Sequence, residues 1–343
     1  MSNSYTKDDT IFVQISSYRD PELQHTIKDL FKKAKKPENI FVGICHQYDM
    51  KEGTDKHLFE VPFTSSSSQV RVDEMDYRES KGLFLARRKA QLLWRGEKWV
   101  AHFDAHMRYE EGWDEILVLM LKSLQDKGHD KPVVASHPPG YNPDTNELDP
   151  SYTTLLCIQT FNKVTGVIRP SACNHFAFKY CSPTALISGN FFATIGQYLQ
   201  DVPYDVNMCF TDEANMAVRL WTNGYSLFNT DKNVCYHLWN TEKLKETRAK
   251  RADDGNEWYH NNVARSDARE RHLFQIQKSN DPRVINDINK YGIGANRSLR
   301  DYERYAGIDF KKRLSKERVR QGLFEQWQEV SKINQVKKIF KRD

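Results

Sequence analysis

The 343-residue sequence has few cysteines and no long apolar segment. Its six cysteines are scattered and form no CxxC pair, so we expect neither a cysteine zinc site nor a disulfide framework. No run approaches the roughly 18 apolar residues that cross a bilayer. The first ten residues, MSNSYTKDDT, lack the basic-then-apolar order of a secretory signal. These absences predict a cytoplasmic protein that is not exported.

A strong charge of one sign is also missing, because 51 Lys and Arg face 46 Asp and Glu, for a net charge of +5. The excess lies at the end: residues 311–343 hold eleven basic and four acidic residues, and residues 1–310 hold 40 basic and 42 acidic residues. The body is therefore slightly acidic, and its aromatic residues do not alternate with basic ones. Both observations exclude nucleic acid as an expected partner.

The composition, 39% hydrophobic and 12% aromatic, is sufficient for a globular core. Residues 11–16 form a short apolar run, apolar residues then recur at helical spacing over residues 23–34, and residues 40–44 form a second apolar run. This order predicts a βαβ unit and an α/β fold with a mostly parallel sheet. Such sheets bind ligands at the carboxyl ends of their strands.

Further along, residues 50–79 show no steady period and predict a long irregular loop. Residues 80–94 have a helical pattern, and the apolar run 99–103 predicts a buried strand that leads into Asp104. Residues 211–222 predict a helix, which Asn223-Gly224 would end. No internal repeat is evident.

Three more elements complete the pattern. Residues 111–124 predict a helix and residues 132–136 a strand. Residues 225–238 predict a last pair of strands, which finishes at His237.

Asp104 and His106 are two residues apart, so on a continuing strand both side chains would point to the same side. A carboxylate with an imidazole suits Mn²⁺, and a metal beyond a parallel strand could neutralise a diphosphate leaving group. The alternative is an aspartate that caps a turn beside a surface histidine. The spacing alone leaves both interpretations open.

Several segments taken in order resemble the GlcNAc-transferase family. The resemblance covers roughly residues 11–310 and rests on residues 12–23 (FVQISSYRDPEL), 82–87 (GLFLAR), 93–97 (LWRGE), 104–114 (DAHMRYEEGWD), 202–205 (VPYD), 211–225 (TDEANMAVRLWTNGY), His237 and 291–303 (YGIGANRSLRDYE). The family includes cytoplasmic enzymes that glycosylate a hydroxyproline on a ubiquitin-ligase adaptor, and related Ser/Thr-directed enzymes.

The resemblance implies a GT-A fold, which is a Rossmann-like nucleotide-diphospho-sugar transferase fold with a mostly parallel sheet. It also implies a metal-dependent retaining glycosyltransferase, with UDP-GlcNAc as donor and a protein hydroxyproline, Ser or Thr as acceptor. Synthesis of a cell-surface polysaccharide or lipid-linked glycan is the alternative. A noncatalytic carbohydrate-binding protein would be expected to lack Asp104, His106 or His237, and all three residues are present.

The family's site residues carry over by position. Asp104 and His106 resemble its DxD-like pair, and His237 resembles the late histidine that completes a Mn²⁺ or Mg²⁺ site. The donor-binding residues implied are Ser16, Tyr18, Arg19, Arg87 and Asp104, and the catalytic residues implied are Asp212 and Glu213.

Each of these roles has a structural alternative. Arg19 could pair with Asp20 or Glu22, and Arg87 could form an ion pair on a helix surface. Asp212 and Glu213 lie in the first turn of the predicted helix, where negative charge is favoured by the helix dipole.

Two positions depart from the family pattern. The family usually has Gly-Pro where this chain has Gly82-Leu83, which changes the stiffness of a loop. It usually has Gly-Glu-Glu where this chain has Thr211-Asp212-Glu213. The second change places the shorter Asp212 where the family has a glutamate, so the sugar or the acceptor could differ while metal and nucleotide binding are kept.

The predicted domains are a GT-A catalytic domain over residues 1–240, a family-specific part of the catalytic unit over 241–310, and a basic amphipathic helical tail over 311–343. In the tail, apolar residues recur every three or four positions from Val319 to Ile339 or Phe340. The helix could pack on its own domain. It could instead place the enzyme peripherally on the inner face of a membrane, or bind a partner.

Overall fold

The computed structural model describes residues 4–53, 69–163, 165–176, 179–209, 212–239, 242 and 257–324. Within these ranges, no helix combines the length and hydropathy that a membrane-spanning helix needs. Most of the predicted tail, residues 325–343, lies outside the described residues.

The first third of the chain forms the predicted βαβ unit and the strand that follows it. Its elements are β1 (Ile11–Tyr18), α1 (Leu23–Lys32), β2 (Ile40–Tyr48), β3 (Val70–Asp76), α2 (Leu83–Gln91) and β4 (Trp99–Asp104). Short 3₁₀ turns at Pro37–Asn39 and Tyr77–Glu79 lead into β2 and follow β3.

The middle of the chain alternates short strands and helices. These elements are β5 (Met107–Tyr109), α3 (Trp113–Asp126), β6 (Pro132–Ala135), β7 (Thr153–Phe161), β8 (Ile168–Phe176), β9 (Ser182–Pro183), β10 (Phe191–Ile195), α4 (Tyr198–Asp201), α5 (Asp212–Thr222), β11 (Ser226–Asn229) and β12 (Cys235–His237). The last part is mostly helical, with α6 (Glu257–Leu273), α7 (Pro282–Ile285), α8 (Ile288–Tyr291), α9 (Leu299–Ala306), β13 (Ile308–Asp309), β14 (Leu314–Ser315) and α10 (Glu317–Arg320).

Eight strands form the central sheet in the order β3-β2-β1-β4-β10-β6-β11-β9. Six of them run in one direction, whereas β10 and β9 are antiparallel to their neighbours. The predicted mostly parallel α/β fold is confirmed. The register places Ser16 of β1 beside Asp104 of β4, so these two strands end level at the carboxyl edge of the sheet.

The prediction of an irregular segment over residues 50–79 is wrong for its last part, because β3 pairs in parallel with β2. This strand lies at the edge of the sheet and includes Asp73 and Glu74. Charged residues are common on edge strands, where they prevent pairing with other chains. They also remove the alternation that marks a strand in a sequence.

The two strands predicted within residues 225–238 are present, but they do not pair with each other. β11 joins β6 in the central sheet, whereas β12 pairs antiparallel with β5 in a separate two-stranded sheet. Since β5 follows β4 directly in the chain, this second sheet adjoins the carboxyl edge of the central sheet.

The core consists of two large apolar clusters. One contains residues of α1, α3 and the strands, including the buried Trp99 and Trp113. The other unites α5 with the C-terminal elements, including Trp221 and Tyr302. A fully buried ion pair between Arg269 of α6 and Asp205 also joins the C-terminal part to the rest of the chain.

The beginning of the predicted tail packs on the same body. Val319 and Phe324 are completely buried in the second cluster. Over residues 311–324 the chain forms turns, β14 and the four-residue α10, with no longer helix in this described part. The domain boundaries at 240 and 310 stay predictions.

Candidate functional site

Three predicted metal ligands lie together at the carboxyl edge of the central sheet. Asp104 ends β4, and His106 precedes β5. The pairing of β12 with β5 places His237 opposite Met107, and the backbone N–H of Leu238 donates to the His106 carbonyl at 3.2 Å. The small second sheet therefore brings His237 to the other two side chains.

The ligand atoms of these three residues converge. The Nε2 atoms of His106 and His237 are 3.1 Å apart, and His237 Nε2 lies 3.3 Å from Asp104 Oδ2. One ligand atom from each residue lies within 4.8 Å of the others. A carboxylate with two imidazoles suits Mn²⁺ or a similar divalent cation. The donor set therefore fits the predicted metal, and we call these residues the triad.

Asp20 holds one member of the triad in position. Its Oδ2 lies 2.8 Å from His106 Nδ1, and both side chains are at most 12% exposed. When Nδ1 donates to this carboxylate, Nε2 keeps the lone pair that a metal needs. Asp20 is itself oriented, since its Oδ1 accepts from the backbone N–H of Glu22 at 3.0 Å.

Asp104 is held as a carboxylate by its neighbours. Burial alone would raise its pKa, but the hydrogen bond with His237, the neighbouring His106 and the charge of Arg87 lower the pKa well below the usual value. The Asn190 amide donates to Asp104 Oδ2 at 2.9 Å and lies 3.0 Å from His237 Nε2. Asp104 is thus ionised at neutral pH.

Arg87 lies behind the triad and is 3% exposed. Its Nη2 donates to the Gly189 carbonyl at 2.8 Å and to Asp104 Oδ1 at 3.4 Å, and its Nη1 donates to the Tyr204 hydroxyl at 3.3 Å. The interpretation of Arg87 as a surface residue is therefore wrong. Its carboxylate partner is Asp104 itself, and this contact holds the Asp104 carboxylate within the triad.

Glu213 lies on the other side of Gly189. The Gly189 N–H donates to Glu213 Oε1 at 3.0 Å, and the carbonyl of the same residue accepts from Arg87. Burial raises the pKa of Glu213, and the negative charge of Asp104 acts in the same direction. Asp212 begins α5, but its side chain lies outside the described residues.

The predicted nucleotide-binding residues lie at the end of β1. Ser16 pairs in register with Asp104, and the ring of Tyr18 meets that of Tyr77 edge-on at 6.3 Å. Arg19 adopts a left-handed backbone with φ of 49°, which is uncommon for a residue with a side chain, and its guanidinium lies 4.4 Å from the Tyr77 ring centre. The structure therefore places all three within one edge of the sheet.

The proposed ion-pair partners of Arg19 make other contacts. Asp20 contacts His106, and the Glu22 carboxylate contacts Arg108 at 2.8 Å in a buried pair. Backbone strain of the kind seen at Arg19 is often found at functional sites.

Sequence reasoning did not assign Asp20 or Asn190 to the site. Asp20 had a usable signal, because it follows β1, and β1 was predicted to end at the same sheet edge as the strand before Asp104. Asn190 follows Gly189 in an unpatterned stretch and gave no signal. Trp239 also adjoins the triad, and His137 stacks against Trp239. The sequence predicted only a loop or the end of a strand at these positions.

Comparisons with known proteins identify the family and the fold of the chain. The model of the family described as Glycosyltransferase (GlcNAc) matches residues 10–59 and 49–312. No curated protein gives a significant match.

Among solved structures, GalNAc-T7 with UDP, GalNAc and Mn²⁺ has a TM-score of 0.52 and 12% sequence identity, over 86% of this chain and 56% of that chain. This chain thus spans little more than half the length of that relative. S. aureus TarS, residues 1–349, has a TM-score of 0.41 and 12% identity, over 82% of this chain and 80% of that chain. At this identity the likeness to GalNAc-T7 shows the fold alone, and it agrees with the predicted GT-A class.

The family match extends from β1 through the triad to the residues just after β13, and it includes every predicted site residue. Since it covers most of the sequence, the chain belongs to the Glycosyltransferase (GlcNAc) family.

Proposed function

We propose that this protein is a Mn²⁺-dependent retaining glycosyltransferase that transfers GlcNAc from UDP-GlcNAc to a protein hydroxyl group, on hydroxyproline, Ser or Thr. Mg²⁺ is the alternative cation. The observation that carries the proposal is the convergence of Asp104, His106 and His237 within 4.8 Å in a chain of this family.

A divalent cation bound by the triad would neutralise charge on the departing UDP. The chain's own residues prepare that site. Asp20 fixes the His106 ring, and Arg87 orients Asp104 through Oδ1 while leaving Oδ2 toward the two imidazoles. Tyr18 and Arg19, at the end of β1, are proposed to contact the uridine.

In the reaction, the bond between the sugar C1 and the UDP oxygen breaks, and the acceptor oxygen bonds to C1 on the same face. The acceptor proton passes to the leaving phosphate. Glu213 would bind the sugar hydroxyls or orient the acceptor, because its carboxylate is anchored by Gly189, whose carbonyl is held by Arg87. Asp212 is proposed for the same task from its place beside Glu213.

The test is a panel of UDP-sugars, each with Mn²⁺, Mg²⁺ or EDTA, in which slow hydrolysis of the donor is followed without an acceptor. We expect Mn²⁺-dependent hydrolysis of UDP-GlcNAc. Asp104→Asn should lose both hydrolysis and its dependence on Mn²⁺, whereas Asp126→Asn, an exposed aspartate at the end of α3, should match the wild type. Full Mn²⁺-dependent hydrolysis by Asp104→Asn would contradict the assignment.

A second candidate acceptor is a glycan of a cell-surface polysaccharide or a lipid-linked precursor. The basic excess of residues 311–343 favours it, since such residues are attracted to anionic lipid. The same excess supports a proposed cytoplasmic enzyme with peripheral membrane contact.

Liposome flotation tests the membrane contact. Because Val319 and Phe324 are buried in the core, the truncated chain should end after Phe324 rather than at the start of the tail. Residues 325–343 hold five basic and three acidic residues and most of the recurring apolar positions of the tail, so we expect the full chain to float with anionic vesicles more completely than the shorter chain. Equal flotation would remove the membrane role of residues 325–343.

A further inference from the structure

Two aromatic side chains lie against each other beside the triad. The rings of Trp239 and His137 are stacked, with centres 5.7 Å apart and planes 12° from parallel. The Trp239 Nε1–H donates to the Pro138 carbonyl at 3.0 Å, which fixes the indole, and yet the residue is 39% exposed. We call this pair the Trp–His ledge.

The ledge reaches two functional groups at once. At one end, the Trp239 ring centre lies 4.3 Å from that of His237, a member of the triad. At the other end, His137 Nε2 lies 4.0 Å from Glu213 Oε1. The ledge therefore spans the gap between the candidate metal ligands and the carboxylate proposed to bind sugar hydroxyls.

The chemistry of the ledge is aromatic and uncharged. Burial lowers the pKa of His137 to about 4, with the nearby His237 acting in the same direction, so its ring is neutral at pH 7. The π-face of an indole attracts the weakly positive C–H groups on one side of a pyranose ring. Polar groups near the ledge are supplied by Asp104, Asn190 and Glu213.

We propose that the Trp–His ledge stacks against the C–H face of the pyranose of the nucleotide-sugar donor, so that Trp239 supplies affinity for the sugar and none for UDP. This inference rests on the proposed function. If the diphosphate lies at the triad, the sugar must lie beside the triad, because its C1 is bonded to a diphosphate oxygen. If its hydroxyls meet Glu213, the ring must cross the gap that the ledge spans.

The experiment measures the affinities of UDP and of UDP-GlcNAc in the presence of Mn²⁺ by isothermal titration calorimetry. Trp239→Ala should weaken UDP-GlcNAc about tenfold, as expected for one aromatic contact. Its affinity for UDP should stay within about twofold of the wild-type value. This unchanged affinity also shows that the variant is folded. Trp239→Phe keeps an aromatic face and should retain most of the UDP-GlcNAc affinity.

Tyr180→Ala is the matched control, because Tyr180 is a 57% exposed aromatic residue whose ring is contacted by Lys127 and Lys179. It should change neither affinity. If Trp239→Ala leaves the ratio of the two affinities unchanged, the ledge does not hold the donor sugar, even if transfer to an acceptor falls. If the wild type binds no UDP-GlcNAc, the proposed function fails as well, which is a different result from an unchanged ratio.

Discussion

Replacing Asp20 with Asn removes a charge from the site without removing a metal ligand. Asp20 Oδ2 lies 2.8 Å from His106 Nδ1, and its side chain is only 3% exposed, so bulk water cannot readily take over its role. Asparagine has nearly the same size. Its NH₂ group can donate to Nδ1, which moves the ring proton to Nε2, the atom that faces His237.

The expected size of the effect follows from the type of interaction. A hydrogen bond to a charged group is worth about 1.5–3 kcal/mol. Loss of a partner that orients a metal-binding histidine lowers metal affinity by about 10- to 100-fold, or about 1.4–2.8 kcal/mol. The two ranges agree, so we expect the Mn²⁺ dissociation constant of Asp20→Asn to rise by one to two orders of magnitude.

The assay is a Mn²⁺ titration at pH 7 in which free ion is followed by electron paramagnetic resonance, together with donor hydrolysis at increasing Mn²⁺. Because Asp20 acts through His106, hydrolysis should recover at saturating Mn²⁺. Asp9→Asn is the matched control: Asp9 is a buried aspartate at the opposite end of β1, held by Lys98 and Lys122. The reasoning is refuted if Asp20→Asn binds Mn²⁺ like the wild type, or if Asp9→Asn loses as much Mn²⁺ affinity.

Three further predictions concern stability. Asp205→Asn leaves the fully buried Arg269 without its carboxylate and should lower the free energy of unfolding by about 3–5 kcal/mol in a urea titration. Gly82→Ala should destabilise by about 1–3 kcal/mol in the same titration, because φ is +88° there and a Cβ would lie 2.4 Å from the Cys209 carbonyl. Burial would raise the pKa of Asp9, but hydrogen bonds from two lysines, a threonine and a tryptophan lower it. The unfolded state therefore binds the proton more readily, and melting temperatures should fall as the pH drops below about 4, less steeply in Asp9→Asn.

Each stability prediction has an outcome that would contradict it. Asp205→Asn with wild-type stability would mean that the buried guanidinium is satisfied by other groups, such as the Val284 carbonyl that Arg269 also contacts. A neutral Gly82→Ala would mean that the loop before α2 can shift away from Cys209. Parallel pH profiles for the wild type and Asp9→Asn would mean that other carboxylates dominate acid unfolding.

Most of the central sheet could be predicted because β1, β2 and β4 are buried strands with continuous apolar runs. The edge strand β3 could not be predicted, since its charged residues remove the apolar pattern. The separation of β11 and β12 into two sheets has no local signature, because it depends on which distant strand each one meets.

The residues of the candidate site also differ in whether the sequence could predict them. The spacing of Asp104 and His106 was compatible with a shared metal but equally with a turn-capping aspartate, and the family resemblance assigned the pair. His237 follows 131 residues after His106 and was also identified only through the resemblance. Asn190 and Trp239 approach the triad through folding alone, and no motif marks either of them. Arg87 was expected at the donor site through the resemblance, and that role stays a prediction, whereas its burial behind Asp104 required the structure.

The third ligand of the triad is contributed by β12, which follows the last strand to join the central sheet in chain order. A fragment that ends before His237 therefore carries two ligands and cannot complete the set. During synthesis, the proposed metal site would be complete only after β12 has left the ribosome and paired with β5. A chain that has just completed the triad still lacks the C-terminal elements of the second core cluster, so assembly of the three side chains would precede completion of the core.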